Sequence, residues 1–208
     1  MIKTQQNLVF ATSNPNKVRE VSKGLNEYFT FLSLQDIGCH EEVPETSDTI
    51  KGNAIQKAKY VYDHYKCNCF AEDTGLEIEA LNGAPGVLTA RYAGESRDAM
   101  ANMNLVLENL KDKSNRKARF VTVFALVLNG EIFTFEGICE GEILESLTGE
   151  GGFGYDPIFK PKEQNLKNGK LRSFAEMSTD EKYLISHRGK ALRKLVEFLQ
   201  EKSIALNS

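Results

Sequence analysis

The run Gly151-Gly-Phe-Gly-Tyr-Asp-Pro-Ile-Phe159 sets two aromatic rings, Phe153 and Tyr155, and the carboxylate of Asp156 on a backbone with three glycines in four positions, the third being Gly154. Glycine at this density favours neither helix nor strand, and it lets backbone come close to whatever lies beside it. Pro157 fixes the exit of the run. An aromatic face, backbone amides and one acid are the groups that hold a heterocyclic base. The same string also suits a plain turn with one buried aromatic.

Four further segments carry side chains that could do chemistry. Thr12-Ser13-Asn14-Pro15-Asn16-Lys17 stands where a strand is expected to give way to a helix. Such a junction offers helix N-terminal amides to an anion, with Lys17 adding a full charge and Thr12, Ser13 and Asn14 adding hydroxyl and amide groups. It lacks the glycines of a Walker loop, and ordinary capping by Ser, Asn and Pro would also explain it. Glu72-Asp73-Thr74-Gly75 is expected at the end of a strand, where a carboxylate can bind magnesium or take a proton from water. Asp-Thr-Gly is also the aspartic-protease triplet, but that mechanism needs two such aspartates and this chain has one copy. Pro44-Glu45-Thr46, just ahead of a long helix, supplies a second acidic oxygen, although an acid there also serves the helix dipole. Lys182 with Ser186-His187-Arg188-Gly189 gathers three cationic side chain types within seven residues at an expected helix break, and arginine can donate in a fork to phosphate or to a carbonyl edge.

The elements that must position these groups follow from periodicity. Leu8–Ala11 reads as a short buried strand, Lys17–Glu27 as a helix and Phe29–Leu34 as a second strand, with Gln35–Ser47 polar and irregular. A longer helix is expected from about Thr49 to Tyr65, with Ile50, Ala54, Ala58, Val61 and Tyr65 on one face. Cys69–Glu72 and Leu76–Ile78 read as two short strands flanking Asp73-Thr74-Gly75. Ser96 is expected to cap a helix reaching Leu110. Arg119–Leu128 and Glu131–Glu142 read as strands joined by Asn129-Gly130, a strong hairpin signal. Ser178-Thr-Asp-Glu181 has capping-box spacing. The helix it opens is expected to break near Ser186–Gly189 and to resume through Leu192, Leu195 and Leu199. The fold class is α/β, one unit or two closely joined lobes over residues 1–208.

Composition bounds the function. The chain has 208 residues, 41% of them hydrophobic, enough for a sizeable core, and a net charge of -3. That charge argues against a surface built for long nucleic acids, while leaving room for one small anion held by local cations. No secretory signal or membrane span is legible, and Met1–Gln6 is polar. Cys39, Cys67, Cys69 and Cys139 form no metal or redox spacing, so reduced thiols and a cytoplasmic location are expected.

Taken in order, the strings TSNPNK (12–17), PET (44–46), EDTGL (72–76), GAPGVLTARYAG (83–94), GGFGYDPIF (151–159) and SHRGKAL (186–192) resemble the inosine/xanthosine triphosphate pyrophosphatase family over essentially the whole chain. The resemblance implies an elongated mixed β-sheet flanked by helices, two lobes around a central substrate cleft, and a homodimer. It implies magnesium-dependent hydrolysis of ITP, dITP and XTP to the monophosphate and pyrophosphate, a house-cleaning activity on a small-molecule substrate, with no nucleic-acid or membrane partner. By position, residues 12–17 match the phosphate-binding loop. Asp73 matches the metal-binding proton acceptor and Glu45 the other metal-site acid. Thr74, Phe153, Gly154, Tyr155, Asp156, Lys182, His187 and Arg188 match the remaining substrate contacts. Many bacterial members have DDSG where this chain has EDTG; the hydroxyl and the charge are kept. A pyrophosphatase for modified pyrimidine nucleotides and a non-catalytic nucleotide-binding regulator are the alternatives, separable by a panel of triphosphates and by pyrophosphate release.

Overall fold

The computed structural model describes residues 8–25, 31–164 and 171–205. Strands β1 (Leu8–Phe10), β2 (Phe31–Leu32), β3 (Cys69–Ile78), β4 (Pro85–Gly86), β5 (Lys117–Leu128), β6 (Glu131–Ile143) and β7 (Phe159–Pro161) form one mixed sheet in the order β2-β1-β3-β5-β6-β7, with β4 paired to β3. β1 runs parallel to both β2 and β3, while β4 and β7 are antiparallel to β3 and β6. The helices are α1 (Pro15–Leu25), α2 (Ile50–Tyr65), α3 (Ala99–Asn109), α4 (Thr179–Ile185) and α5 (His187–Ala205). The expected α/β class and most of the expected elements are present. Residues 26, 27, 29 and 30, expected in the first helix and second strand, lie outside the described residues.

The chain divides into two compact units. The first comprises residues 1–73, 122–136 and 191–208, the second 74–121 and 137–190. In the first, Phe10 stacks on Phe70 with ring centroids 4.6 Å apart, and Phe124 packs beside both. Val21 and Leu25 from α1, Ala54, Ala58 and Val61 from α2, and Leu192, Leu195 and Leu199 from α5 complete its buried set. The second unit is built on Leu76, Ile78, Met103, Val106, Phe120, Phe159 and Phe174. Residues 120–128 of β5 are all buried, as a strand covered on both faces requires. Each fully buried Leu or Phe contributes about 1.5–3 kcal/mol.

Three local expectations are corrected. β3 is one continuous strand of ten residues, so Asp73 and Thr74 sit in mid-strand and not at a strand end. Asp-Thr-Gly suggested a turn, but β3 as a whole is held between neighbouring strands of the sheet and runs extended through the segment. Helix α3 is capped by Asp98, whose carboxylate accepts from the Ala101 amide at 3.0 Å, two residues beyond the expected Ser96. The break between α4 and α5 is Ser186 alone, with φ -70° and ψ 156°, and Gly189 already lies within α5. The Asn129-Gly130 hairpin and the Ser178/Glu181 capping box form as expected.

The four cysteines are free thiols. Burial pushes Cys69 and Cys139 up to about 12, which leaves them protonated and inert at neutral pH. Among the described residues, no helix is long and apolar enough to cross a membrane.

Candidate active site

Two clusters emerge, one in each unit. The first is built on α2 and the strand that carries the acids. Thr49 caps α2, its hydroxyl accepting from the Gly52 amide at 2.9 Å. The buried stripe of α2 then includes two polar residues, Asn53 and Lys57, among Ile50, Ala54, Ala58 and Val61. The Lys57 ammonium meets the Asp73 carboxylate at 3.3 Å and also pairs with Glu45. Asn53 donates to the other Asp73 oxygen at 3.4 Å, and its own carbonyl accepts from the Ser47 amide at 2.8 Å. Gln56 forks onto Thr46, accepting from its amide and donating to its hydroxyl, each at 2.8 Å. The Pro44-Glu45-Thr46 segment is thereby strapped to the helix, and Glu45 is brought to the ammonium that also holds Asp73.

Burial pushes the Asp73 carboxyl above the ordinary carboxylate value; Lys57 and then Lys17 pull it back, and Glu45 and Glu72 push with the burial. Burial alone would lower Lys57, but Asp73 and Glu45 together hold it above its usual value, so it stays charged. Glu72 is fully buried and forms an ion pair with Lys17 at 3.0 Å. Adjacent residues on a strand face opposite ways, so Glu72 and Asp73 serve different neighbours.

Lys17 lies in the first turn of α1. Asn14 caps that helix, its side-chain carbonyl accepting from the Asn16 and Lys17 amides at 2.9 and 3.4 Å. Thr12 in turn accepts from the Asn14 amide at 3.2 Å. Pro15 occupies the first helical position, where its missing N–H costs nothing. Capping takes up the Asn16 and Lys17 amides that the expected anion site would draw on.

The second cluster is aromatic and cationic. Phe153 is half-buried; the Lys182 ammonium lies 4.9 Å and the Arg188 guanidinium carbon 5.4 Å from its ring centroid. Lys182 forms a buried ion pair with Asp156 at 2.6 Å, and the same Asp156 oxygen accepts from the Phe153 amide at 2.8 Å. Asp156 and Tyr155 are buried beneath the run, the Tyr155 hydroxyl donating to the Thr89 carbonyl at 2.8 Å. Gly152 has φ +72°, and a Cβ there would fall on the Asp156 carboxylate, so only glycine fits. His187 is buried and stacks on Phe120 with centroids 4.4 Å apart. Arg188 donates to the Thr74 hydroxyl at 3.2 Å. Gly189 passes so close to the Tyr183 carbonyl that any side chain would strike backbone.

Helix α4, which carries Lys182, is anchored by Arg172. Its guanidinium bonds Glu181 through both terminal nitrogens, at 3.0 and 3.3 Å. That bond, with the Ser178 amide, lowers the Glu181 carboxyl from 4.5 to about 2. A carboxyl lowered on folding stabilises the protein above its unfolded value and loses that contribution as pH falls through the folded one. The thermal midpoint is therefore expected to fall more steeply between these two pH values in the wild type than in Glu181→Gln, as followed by circular dichroism.

The structure thus brings Glu45, Asp73 and Lys17 into the first cluster and Thr74, Phe153, Asp156, Lys182 and Arg188 into the second. Sequence reading missed Asn53, Gln56 and Lys57. The signal was present: Lys57 follows Ile50 by seven residues and Ala54 by three, which puts it on the apolar stripe of α2, where a lysine needs an anionic partner. Among the described residues, no three acidic, histidine or cysteine side chains gather as a metal set. Two carboxylates meeting at one ammonium nevertheless fit magnesium, which takes one or two protein carboxylates and completes its shell with water and substrate phosphates.

The Ham1 family model matches residues 8–198. The dITP/XTP pyrophosphatase of Christiangramia forsetii is 55% identical over 194 residues, covering 93% of this chain and 99% of the relative. That of Bacillus cereus is 42% identical, covering 96% and 98%. Among solved structures, a HAM1 protein from Coxiella burnetii superposes with a TM-score of 0.83 at 36% identity, covering 94% of this chain and 98% of that one. The Staphylococcus aureus Ham1 protein gives 0.82 at 33% identity, covering 94% and 99%. With its fold, its site strings and nearly its whole length matched, the chain belongs to the Ham1 family.

Proposed function

We propose that this chain hydrolyses the deaminated purine nucleoside triphosphates ITP, dITP and XTP to the monophosphate and pyrophosphate. One observation carries the reading. Asp73 and Thr74 are consecutive on β3, and the first belongs to a carboxylate–ammonium cluster while the second is bonded to the arginine above Phe153. The acid read as serving phosphate chemistry and the hydroxyl on the base side are thus neighbours in the chain.

A triphosphate carries close to four negative charges, and an incoming water meets that repulsion before it meets phosphorus. Lys57 and Lys17 supply permanent positive charge, and amides at the start of α1 add partial charge. Glu45 and Asp73 would hold magnesium, which when bound offsets phosphate charge and polarises the phosphoryl group. Asp73 accepts the proton of the water that attacks the α-phosphorus, and its burial strengthens it as a base. Asn53 and Lys57 hold its two oxygens in place. The test is pyrophosphate release from ITP, dITP and XTP against ATP and GTP, with and without magnesium. Tight binding with no release would turn the reading to a nucleotide-binding regulator, and a preference for modified pyrimidines to the other enzyme class.

Selectivity against ATP rests on the oxygen at C6, where adenine has an amino group; guanine shares that oxygen, so a second element must act on its 2-amino group. A donor aimed at that oxygen would face amino hydrogens in adenine and go unsatisfied, a loss of roughly 1–3 kcal/mol, more for a charged donor. Arg188 and backbone amides near Phe153 are the candidate donors, the Phe153 amide itself being given to Asp156. Arg188→Ala is expected to lower kcat/KM for ITP by about tenfold more than for ATP, a difference near 1.4 kcal/mol. Equal losses for both nucleotides would remove Arg188 from discrimination. A homodimer in the cytoplasm is part of the same reading, supported by the family resemblance and the free thiols.

A further inference from the structure

Thr89 lies outside every string to which the sequence reading gave a chemical role, on a short turn after β4. Its hydroxyl accepts from the Leu76 amide at 2.8 Å and donates to the Gly86 carbonyl at 2.6 Å. Its own carbonyl accepts from the Tyr155 hydroxyl at 2.8 Å. Leu76 stands two residues after Thr74, the partner of Arg188. Tyr155 stands two residues after Phe153, above which Arg188 and Lys182 lie. One residue therefore ties the strand that carries Thr74 to the run that carries Phe153.

The turn itself is held from behind. Asn102 of α3 is buried; it donates to the Ala90 carbonyl at 3.0 Å and accepts from the Ala93 amide at 2.7 Å. Asn109 of the same helix donates to the Tyr92 hydroxyl at 2.9 Å. A partly buried hydrogen-bonded network of this kind has two uses: it satisfies polar groups, and it fixes distances between the segments it joins. Here the joined segments are the two that carry Arg188's partners.

We propose that Thr89 is a specificity-determining positioning residue, setting the separation between Thr74 and Phe153 and so the fit of a 6-oxopurine against Arg188. The inference rests on the base-recognition reading given above. Thr89 touches no reacting atom, and loosening the base affects ground state and transition state alike. Such a loss appears in KM with kcat nearly kept.

The experiment compares wild type, Thr89→Val and Thr89→Ser in pyrophosphate release from ITP and from ATP, with thermal midpoints measured alongside. Valine keeps the shape and β-branching but neither accepts from Leu76 nor donates to Gly86; serine keeps both bonds. Thr89→Val is expected to raise KM for ITP by about five- to tenfold, with kcat within about twofold, and to narrow the ITP-to-ATP ratio by a similar factor. Thr89→Ser is expected to restore both quantities to near wild type. If Thr89→Val yields no soluble protein, Tyr155→Phe, which removes only the hydroxyl bonded to the Thr89 carbonyl, is expected to move KM and the ratio in the same direction. A lowered midpoint with KM and ratio unchanged would make Thr89 merely structural and overturn the inference while ITP hydrolysis stands. A wild type that releases no pyrophosphate from ITP would overturn both.

Discussion

Asp73→Asn is expected to lower kcat for ITP by about 10²–10⁴-fold, the range over which a positioned general base contributes. Asparagine keeps the size of the side chain and can still accept from Lys57, which also retains Glu45. The fold is therefore expected to survive, as an unchanged far-ultraviolet circular dichroism spectrum would show. What is lost is the proton acceptor, together with one of the two carboxylates that would hold magnesium. Stopped and continuous pyrophosphate assays across a tenfold range of magnesium distinguish the two losses. Activity recovered by excess metal would locate the defect in metal binding, whereas a deficit independent of metal locates it in proton transfer. Wild-type turnover in this variant would take Asp73 out of the mechanism.

Lys182→Met is expected to cost about 3–5 kcal/mol of stability, the penalty for stranding one partner of a buried ion pair. Asp156 and Lys182 are both nearly fully buried, and the Asp156 oxygen that meets the ammonium also receives the Phe153 amide. The ammonium stands near the Phe153 and Phe174 rings as well, so its removal also takes away a favourable charge–ring contact. Urea denaturation followed by fluorescence gives the stability change, and the double variant Lys182→Met/Asp156→Leu is expected to recover part of it without recovering ITP hydrolysis. If the single variant is as stable as wild type, the pair is not what holds the Phe153 run in shape.

Much of the fold was legible because it rests on local signals. The alternation of short apolar strands with helices of 3.6 periodicity identified the α/β class. Asn129-Gly130 closed its hairpin, and Ser178 with Glu181 capped α4, because these motifs satisfy backbone groups within a few residues. Asp73-Thr74-Gly75 reads as a turn, yet β3 runs unbroken through it within the sheet. Ser96 and Asp98 are both good caps, and the helix starts at the second of them. In the site, residues belonging to recognisable strings were legible, and their supports were not. Lys57, Asn53 and Thr89 each have a partner 13 to 66 residues away, a separation that no local pattern encodes.

Ser186 is the whole of the joint between two helices. Its amide ends α4 by donating to the Lys182 carbonyl at 2.8 Å, while its carbonyl and hydroxyl start α5 by accepting from the Lys190 and Gly189 amides at 2.9 and 3.1 Å. With one residue serving both termini, adding or deleting a residue at this point would break the bond that ends α4 or those that start α5, and with them the placement of Arg188 against Thr74. Many enzymes alter their preferences by lengthening or shortening the loops around the pocket. At this corner a change of length would cost those shared bonds, whereas an exchange of side chains on the same backbone would keep them.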